Sequence, residues 1–197
     1  MFFVSDALLD QILADDIPYG DATTALLGIE KVPGIVRCRP KAETTIAGVT
    51  LAERLFARVG LQTTRFHEEG DTVAAGTVIL EGRESDGAIH AVYKTAQNIL
   101  EYASGIATRT HQMVEEARVG NPLCRVAVTR KHFPGTKTLS LYAAITGGAV
   151  VHRMGLSESV LVFDQHRVFI ADFEKRLTEA QKADPERKIT VEAADIH

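Results

Sequence analysis

The chain has 197 residues, 45% of them hydrophobic and 24% charged, with a mean hydropathy near zero. That composition excludes a disordered, collagen-like or low-complexity chain and provides enough length to bury a core. Twenty-two Lys and Arg against 26 Asp and Glu leave a formal net charge of −4, with 6% aromatics and no Trp, so a nucleic-acid partner is not expected. Cys38 and Cys124 show neither a CxxC spacing nor a disulfide framework and are read as reduced core thiols of an intracellular chain. The N-terminus, MFFVSDALLDQIL, lacks a basic region and carries Asp6 and Asp10. The longest nearly uncharged run, Leu139 to Val151, is too short and too polar to span a bilayer. The expectation is a cytoplasmic protein with no membrane partner.

In chain order, Ser5 is a candidate N-cap for a helix that places Leu8, Leu9, Ile12 and Leu13 on one face. The segment DIPYGDATT then breaks the pattern, with Asp21 capping a turn ahead of Ala22-Thr23-Thr24. Alternation after Pro33 predicts strands, Thr50 to Val59 a short amphipathic helix ended by Gly60, and Gly70 to Glu81 a β-hairpin. Together these suggest an α/β sandwich over residues 1–105. From Ala91 to Ala117 the period is that of a long helix, interrupted or closely packed at Gly105. Beyond it, short apolar runs alternate with helical segments (LCRVAVT, TLSLYAAITGG, VVHRMG, SVLVFDQHRVFI, ADFEKRLTEAQKA, KITVEAAD), the order of βαβ units feeding a parallel sheet.

The distribution of acids is the most informative feature. From Ala117 to Ser157 there are 41 residues without Asp or Glu, where 26 acids in 197 residues would place about five. The same tract holds Arg118, Arg125, Arg130, Lys131, Lys137 and Arg153, with His132 and His152. An acidic chain that keeps one acid-free basic tract points to an anionic ligand there. Two dyads stand at strand ends. Val126–Val128 runs into Thr129-Arg130-Lys131, and Val150–Val151 runs into His152-Arg153. Guanidinium groups bind carboxylates bidentately, and a lysine beside them suits phosphate as a point charge.

With SGIAT at 104–108, TRKHFPG at 129–135, GG at 147–148, HRMGL at 152–156 and DQH at 164–166, the sequence resembles the quinolinate phosphoribosyltransferases, the carboxylating nicotinate-nucleotide pyrophosphorylases. DIPYGDATT at 16–24 and GDTVAAGTVI at 70–79 are similar to that family's N-terminal motifs. YASGIATRT, TRKHFPG and HRMGLSESVLVF look most like its ModD branch, a paralogue associated with molybdate transport genes. The resemblance implies an α/β fold in two parts: an N-terminal α+β sandwich (1–105) and an open α/β barrel (106–197), the barrel incomplete in this chain. It implies a homodimer that shares its active sites. It also implies transfer from phosphoribosyl pyrophosphate to quinolinate with decarboxylation, giving nicotinate mononucleotide, with Mg²⁺ on the pyrophosphate. Arg130 and Arg153 would hold the carboxylates, with Thr129, Lys131, His152 and Lys94 as further substrate-binding positions. Lys131 and Glu192 would be catalytic, Glu192 as a carboxylate near the ribose.

Two positions depart from the family pattern. Phe163 stands where the family has a lysine, and Tyr93-Lys94 where it has Glu-Arg. Both suit a ModD-like paralogue with a different anionic aromatic substrate, or a non-catalytic anion-binding dimer linked to molybdate transport. Two rival readings are weaker. The acidic pair in ILADDIPYGDATT lacks the Thr-Gly of a type I phosphoribosyltransferase loop, and GDTVAAGTVI lacks the turn lysine of a lipoyl or biotinyl carrier. No HxxxH or HExxH spacing marks a metal site; His90, His111 and His197 read as ordinary residues, while His166 is a candidate pocket residue. Phe133 could pack on a substrate ring or within its own loop.

Overall fold

The computed structural model describes residues 3–193, which divide into two units, Met1–Val151 and His152–His197. The first runs α1 (Asp6–Asp16), α2 (Ala22–Leu27), β1 (Pro33–Cys38), β2 (Thr44–Thr45), α3 (Val49–Arg58), β3 (Gln62–Arg65), β4 (Thr72–Val73), β5 (Leu80–Ser85), α4 (Asp86–Gly120), β6 (Ala127–Val128), α5 (Lys137–Thr146) and β7 (Val150–Val151). The second runs β8 (Val160–Val162), α6 (Asp164–Arg167), α7 (Phe173–Ala183) and β9 (Ile189–Val191).

Local chemistry accounts for the early elements. Ser5 caps α1 by accepting from the Leu8 amide at 3.3 Å. Leu9 is fully buried, with Leu8, Ile12 and Leu13 packed against the same core. Asp21 accepts from the Thr23 amide at 2.9 Å and from the Thr24 hydroxyl, so the expected turn is the start of a short helix, α2. A sheet of order β1-β5-β3, antiparallel throughout, carries the core with α3 and α4. Leu55 and Phe56 from α3, Leu80 from β5 and Val92 and Ala96 from α4 are fully buried there. On this sheet Glu81 is gripped by Arg83 at 2.7 Å and Arg37 at 2.6 Å. Their hydrogen bonds hold its carboxyl below the usual glutamate value. Cys38 is partly buried, and desolvation pushes its thiol up to about 11. Cys124 is exposed, contrary to the expectation that both thiols sit in the core.

Three further expectations need correction. Gly70–Glu81 is not a hairpin: β4 pairs with β2, whereas β5 pairs with β1 and β3. The glycine turn carries the chain from one sheet to the other. Gly76, at φ +79°, donates its amide to Pro40 O at 2.8 Å, and Ile79 donates to Cys38 O at 3.0 Å. Gly105 neither interrupts nor tightens the long helix. α4 runs through it for 35 residues, and a Cβ there would meet nothing within 4 Å. Residues 105 and 106, the expected junction of the two parts, both lie on α4, which the two parts would share. The downstream strands form two parallel pairs, β6–β7 and β8–β9, rather than one continuous sheet. Each pair is a βαβ unit, the first crossing over through α5 and the second through α6 and α7. No closed barrel is present among the described residues.

The close-packed glycine is Gly147. A Cβ there would lie 2.5 Å from the Ala107 carbonyl oxygen and 2.8 Å from Thr110 Cβ. α5 meets α4 through small residues, Ala143 against Ala103 and Ala107, and this contact sets where β7 begins. No described helix is long and apolar enough to cross a membrane.

Candidate active site

The parallel register Ala127↔Val150 and Val128↔Val151 makes β6 and β7 end at the same edge. The carboxyl edge of parallel strands is where such folds hold ligands. Thr129, Arg130 and Lys131 follow β6 directly, and all three are exposed. The Lys131 amide donates to Thr129 Oγ1 at 3.4 Å, folding the strand end back on itself. Gly135, at φ +87°, turns the loop toward α5. Neither Arg130 nor Lys131 has a carboxylate partner among the described residues, as the acid-free tract anticipates. Phe133 is 78% exposed, so it is not a loop-packing residue. Lys94 is carried elsewhere, on α4. Its Nζ donates to Gln97 Oε1 at 2.9 Å and lies 5.4 Å from the Tyr93 ring centroid. It shares no hydrogen bond or ion pair with the β6 strand end.

His152 and Arg153 follow β7 as the first residues of the second unit. His152 is exposed. Arg153 is 7% exposed and forms no ion pair or side-chain hydrogen bond among the described residues. A buried guanidinium without an anion is costly, and such groups are normally paired. The first carboxylate after the tract, Glu158, is engaged locally, accepting from the Met154 amide at 2.6 Å. Arg153 instead lies with its guanidinium carbon 5.8 Å from the centroid of the Phe163 ring. His166 sits on the same ring at 4.6 Å between centroids, its Nδ1 accepting from the Phe163 amide at 3.1 Å. Glu192 is exposed just after β9, its amide donating to Val162 O at 2.8 Å and extending the β8–β9 ladder.

The sequence-predicted residues are thus shared between the units: Lys94 and Thr129–Lys131 in the first, His152, Arg153 and Glu192 in the second. Sequence reading missed the Arg153–Phe163–His166 stack. Its signal was an aromatic followed three positions later by a histidine at the start of a helix. His90 and His111 take no part in these groupings, and His197 lies outside the described residues. No group of three or more metal-ligating side chains is present among the described residues.

An antiparallel sheet carrying a long helix, followed by parallel βαβ units with basic strand ends, agrees with the phosphoribosyltransferase architecture that the sequence resemblance implies. Comparison with known proteins bears this out. The model of the quinolinate phosphoribosyl transferase N-terminal domain matches residues 21–104, and that of its C-terminal domain matches residues 106–197. A Rhodobacter capsulatus protein named pyrophosphorylase ModD is 39% identical over 198 residues, covering 100% of this chain and 76% of its own. A protein of the same name from Pasteurella multocida is 36% identical over 199 residues, covering 100% and 71%. A nicotinate-nucleotide pyrophosphorylase (carboxylating) from Archaeoglobus fulgidus is 32% identical over 180 residues, covering 91% and 67%. Among solved structures, NadC from Streptococcus pyogenes superposes with a TM-score of 0.88 at 26% identity, over 96% of this chain and 68% of that one. The Francisella tularensis nicotinate-nucleotide pyrophosphorylase gives 0.86 at 27%, over 99% and 70%. The chain belongs to the quinolinate phosphoribosyltransferase family.

Proposed function

We propose that this chain transfers the phosphoribosyl group of phosphoribosyl pyrophosphate to the ring nitrogen of quinolinate, yielding nicotinate mononucleotide, pyrophosphate and carbon dioxide. The observation that carries the reading is Arg153, a 7%-exposed guanidinium with no anion beside it among the described residues. In this reading Arg130 and Arg153 each take one carboxylate of the acid, and Thr129, Lys131 and His152 supply further hydrogen bonds and positive charge for phosphate. The ring nitrogen donates its lone pair to ribose C1 as the C1–O bond to pyrophosphate breaks. Glu192 stabilises the positive charge that develops on the sugar. The carboxylate next to the ring nitrogen then leaves as carbon dioxide, and its electron pair takes a proton. Lys94 serves the site of a second copy in a cytoplasmic homodimer. Among the described residues no group of three or more His, Cys, Asp or Glu side chains could hold Mg²⁺, and the ion would arrive on the diphosphate of the co-substrate.

Phe163 favours a second reading, that of a ModD-like paralogue for a different anionic aromatic acid. An uncharged ring against Arg153, at 5.8 Å, leaves one cation fewer for a dianion. The likeness to proteins named ModD supports the same reading. Chromatographic detection of nicotinate mononucleotide from quinolinate, phosphoribosyl pyrophosphate and Mg²⁺ separates the two. Product above the no-enzyme blank supports quinolinate. Absence of product, with pyrophosphate released from phosphoribosyl pyrophosphate only when another aromatic acid is the acceptor, supports the paralogue. Phe163→Lys then raises quinolinate turnover in a drifted enzyme and leaves a non-catalytic anion-binding dimer unchanged.

A further inference from the structure

Glu69 lies in the loop between β3 and β4, and both oxygens of its carboxylate are committed to the N-terminus of α3. Oε2 accepts from the Gly48 amide at 2.8 Å and Oε1 from the Thr50 amide at 2.9 Å. Two charge-assisted bonds to backbone fix where that carboxylate stands. The loop is tied down as well. The Gly70 amide donates to Ile46 O at 2.8 Å, and the Ile46 amide donates to Asp71 O at 2.8 Å. Gly70, at φ +88°, turns the backbone toward the last turn of α5, where an added Cβ would lie 3.6 Å from Thr146 O. One turn earlier on α5, Tyr142 packs against the main core, and its hydroxyl meets Glu69 and Thr50. Burial and the Glu69 carboxylate push that hydroxyl above the usual tyrosine range, so it remains a proton donor beside a group that only accepts.

Capping α3 does not require Tyr142, and packing α5 does not require a hydroxyl. The use of the pair follows from where α5 stands. It is the crossover of the β6–β7 unit: the loop bearing Arg130 and Lys131 enters it, and β7 leaves it. Its contact with α4 runs through small residues, Ala143 and Gly147, which set how closely the helices approach but supply no directional bond. The geometry points to Glu69 and Tyr142 as positioning residues: the fixed carboxylate holds the Tyr142 hydroxyl, Tyr142 fixes the rotation of α5, and α5 fixes the strand ends of β6 and β7. Displacements of about 1 Å remote from the chemistry are enough to lower turnover. The effect on turnover rests on the proposed reading of the Arg130 strand end; the effect on β7 does not.

The test is a double-mutant cycle in the full chain with Tyr142→Phe, Glu69→Ala and the pair. It is read by quinolinate turnover and by hydrogen exchange of the Val150 amide, which donates to Val126 O at 2.9 Å across the β6–β7 pair. Tyr142→Phe keeps the ring and removes only the donor. It should raise KM for quinolinate about five- to tenfold with kcat within about twofold, a size open to remote misplacement. It should also speed Val150 exchange at least about fivefold relative to amides in the middle of α4. In the Glu69→Ala background Tyr142→Phe should add nothing, since the link is already broken. Glu68→Gln, whose carboxylate pairs with Arg65 at 2.8 Å, should leave both readings at wild type. Additive effects, or unchanged Val150 exchange in Tyr142→Phe, overturn the link. Faster exchange with unchanged KM overturns its role in the site. A wild type that does not turn quinolinate over refutes the proposed reaction instead, and the exchange reading alone then decides the link.

Discussion

Replacing Gly147 by alanine tests the packing that places β7 and its strand end. The backbone there is not the constraint, because Gly147 has φ −74°, which any residue adopts. The constraint is distance. The new Cβ would lie 2.5 Å from the Ala107 carbonyl oxygen and 3.1 Å from its carbonyl carbon, nearly an ångström short of ordinary contact with the oxygen. Both atoms belong to the middle of α4, where helical hydrogen bonding holds them, so the end of α5 must move instead. Overpacking of this kind costs about 1–3 kcal/mol, and a clash with fixed backbone puts the expected value near the top, about 3 kcal/mol. At about 2–4 °C per kcal/mol for a chain of this size, the melting temperature falls by roughly 6–12 °C. Gly148→Ala is the control. Its φ of +96° strains an alanine, but the added Cβ meets only Val114 at an ordinary 3.7 Å, so about 1–2 kcal/mol is expected. Urea unfolding followed by far-UV circular dichroism reads both at unchanged m-value. A Gly147→Ala cost within about 0.5 kcal/mol of zero, or below that of Gly148→Ala, refutes the close-approach argument.

Other substitutions probe the cap, the stack and the ion pairs. Glu69 caps α3 with both oxygens, accepting from the Gly48 amide at 2.8 Å and the Thr50 amide at 2.9 Å. Glu69→Ala should cost about 1–2 kcal/mol in the same unfolding assay and Glu69→Gln about half as much, since one acceptor survives. Phe163→Leu removes the ring under Arg153. At about 0.5–1.5 kcal/mol for such a contact, affinity for the substrate acid in calorimetric titration should fall roughly two- to tenfold, with Phe163→Tyr restoring it. Glu81 has its folded-state value held below the ordinary 4.5 by Arg83 and Arg37. The unfolded chain therefore takes up that proton first, and stability is lost as pH falls below 4.5 through the lowered value. Glu81→Gln should flatten that acid slope while leaving the neutral-to-alkaline profile parallel to wild type. An unchanged slope would remove Glu81 from the account.

Elements whose signals are local were legible in the sequence. Ser5 caps the helix it was expected to cap, Asp21 caps the expected turn, which continues as a short helix, and the βαβ order after residue 121 is the order observed. What failed depended on partners distant in sequence. Gly70–Glu81 has the residues of a hairpin, but the strands on either side of Gly76 find better partners in β2 and in β1 and β3. α4 begins five residues before the expected Ala91, because the strand-like Glu84-Ser85 ends the sheet and Asp86 opens the helix. Gly105 and Gly147 look alike in sequence, yet one faces open space and the other a carbonyl. For the candidate site, the missing acids between Ala117 and Ser157 were visible by counting. The burial of Arg153 was not, because strand-end arginines are ordinarily exposed. Phe163 read as a lost cation and stands in the structure as the ring beside that arginine.

The central claim is that the strand-end arginines bind an aromatic dicarboxylate for phosphoribosyl transfer. It is tested most directly by turnover of quinolinate and phosphoribosyl pyrophosphate with wild type and Arg130→Ala side by side. Arg130 is exposed and unpaired among the described residues, so its loss should leave the melting temperature within about 1 °C, the surface-substitution range. Turnover by the wild type, with at least a hundredfold loss of kcat/KM in Arg130→Ala, equivalent to about 2.7 kcal/mol of transition-state binding, is the expected outcome. Equal turnover by the two proteins would contradict the claim, and so would a loss that merely tracks unfolding.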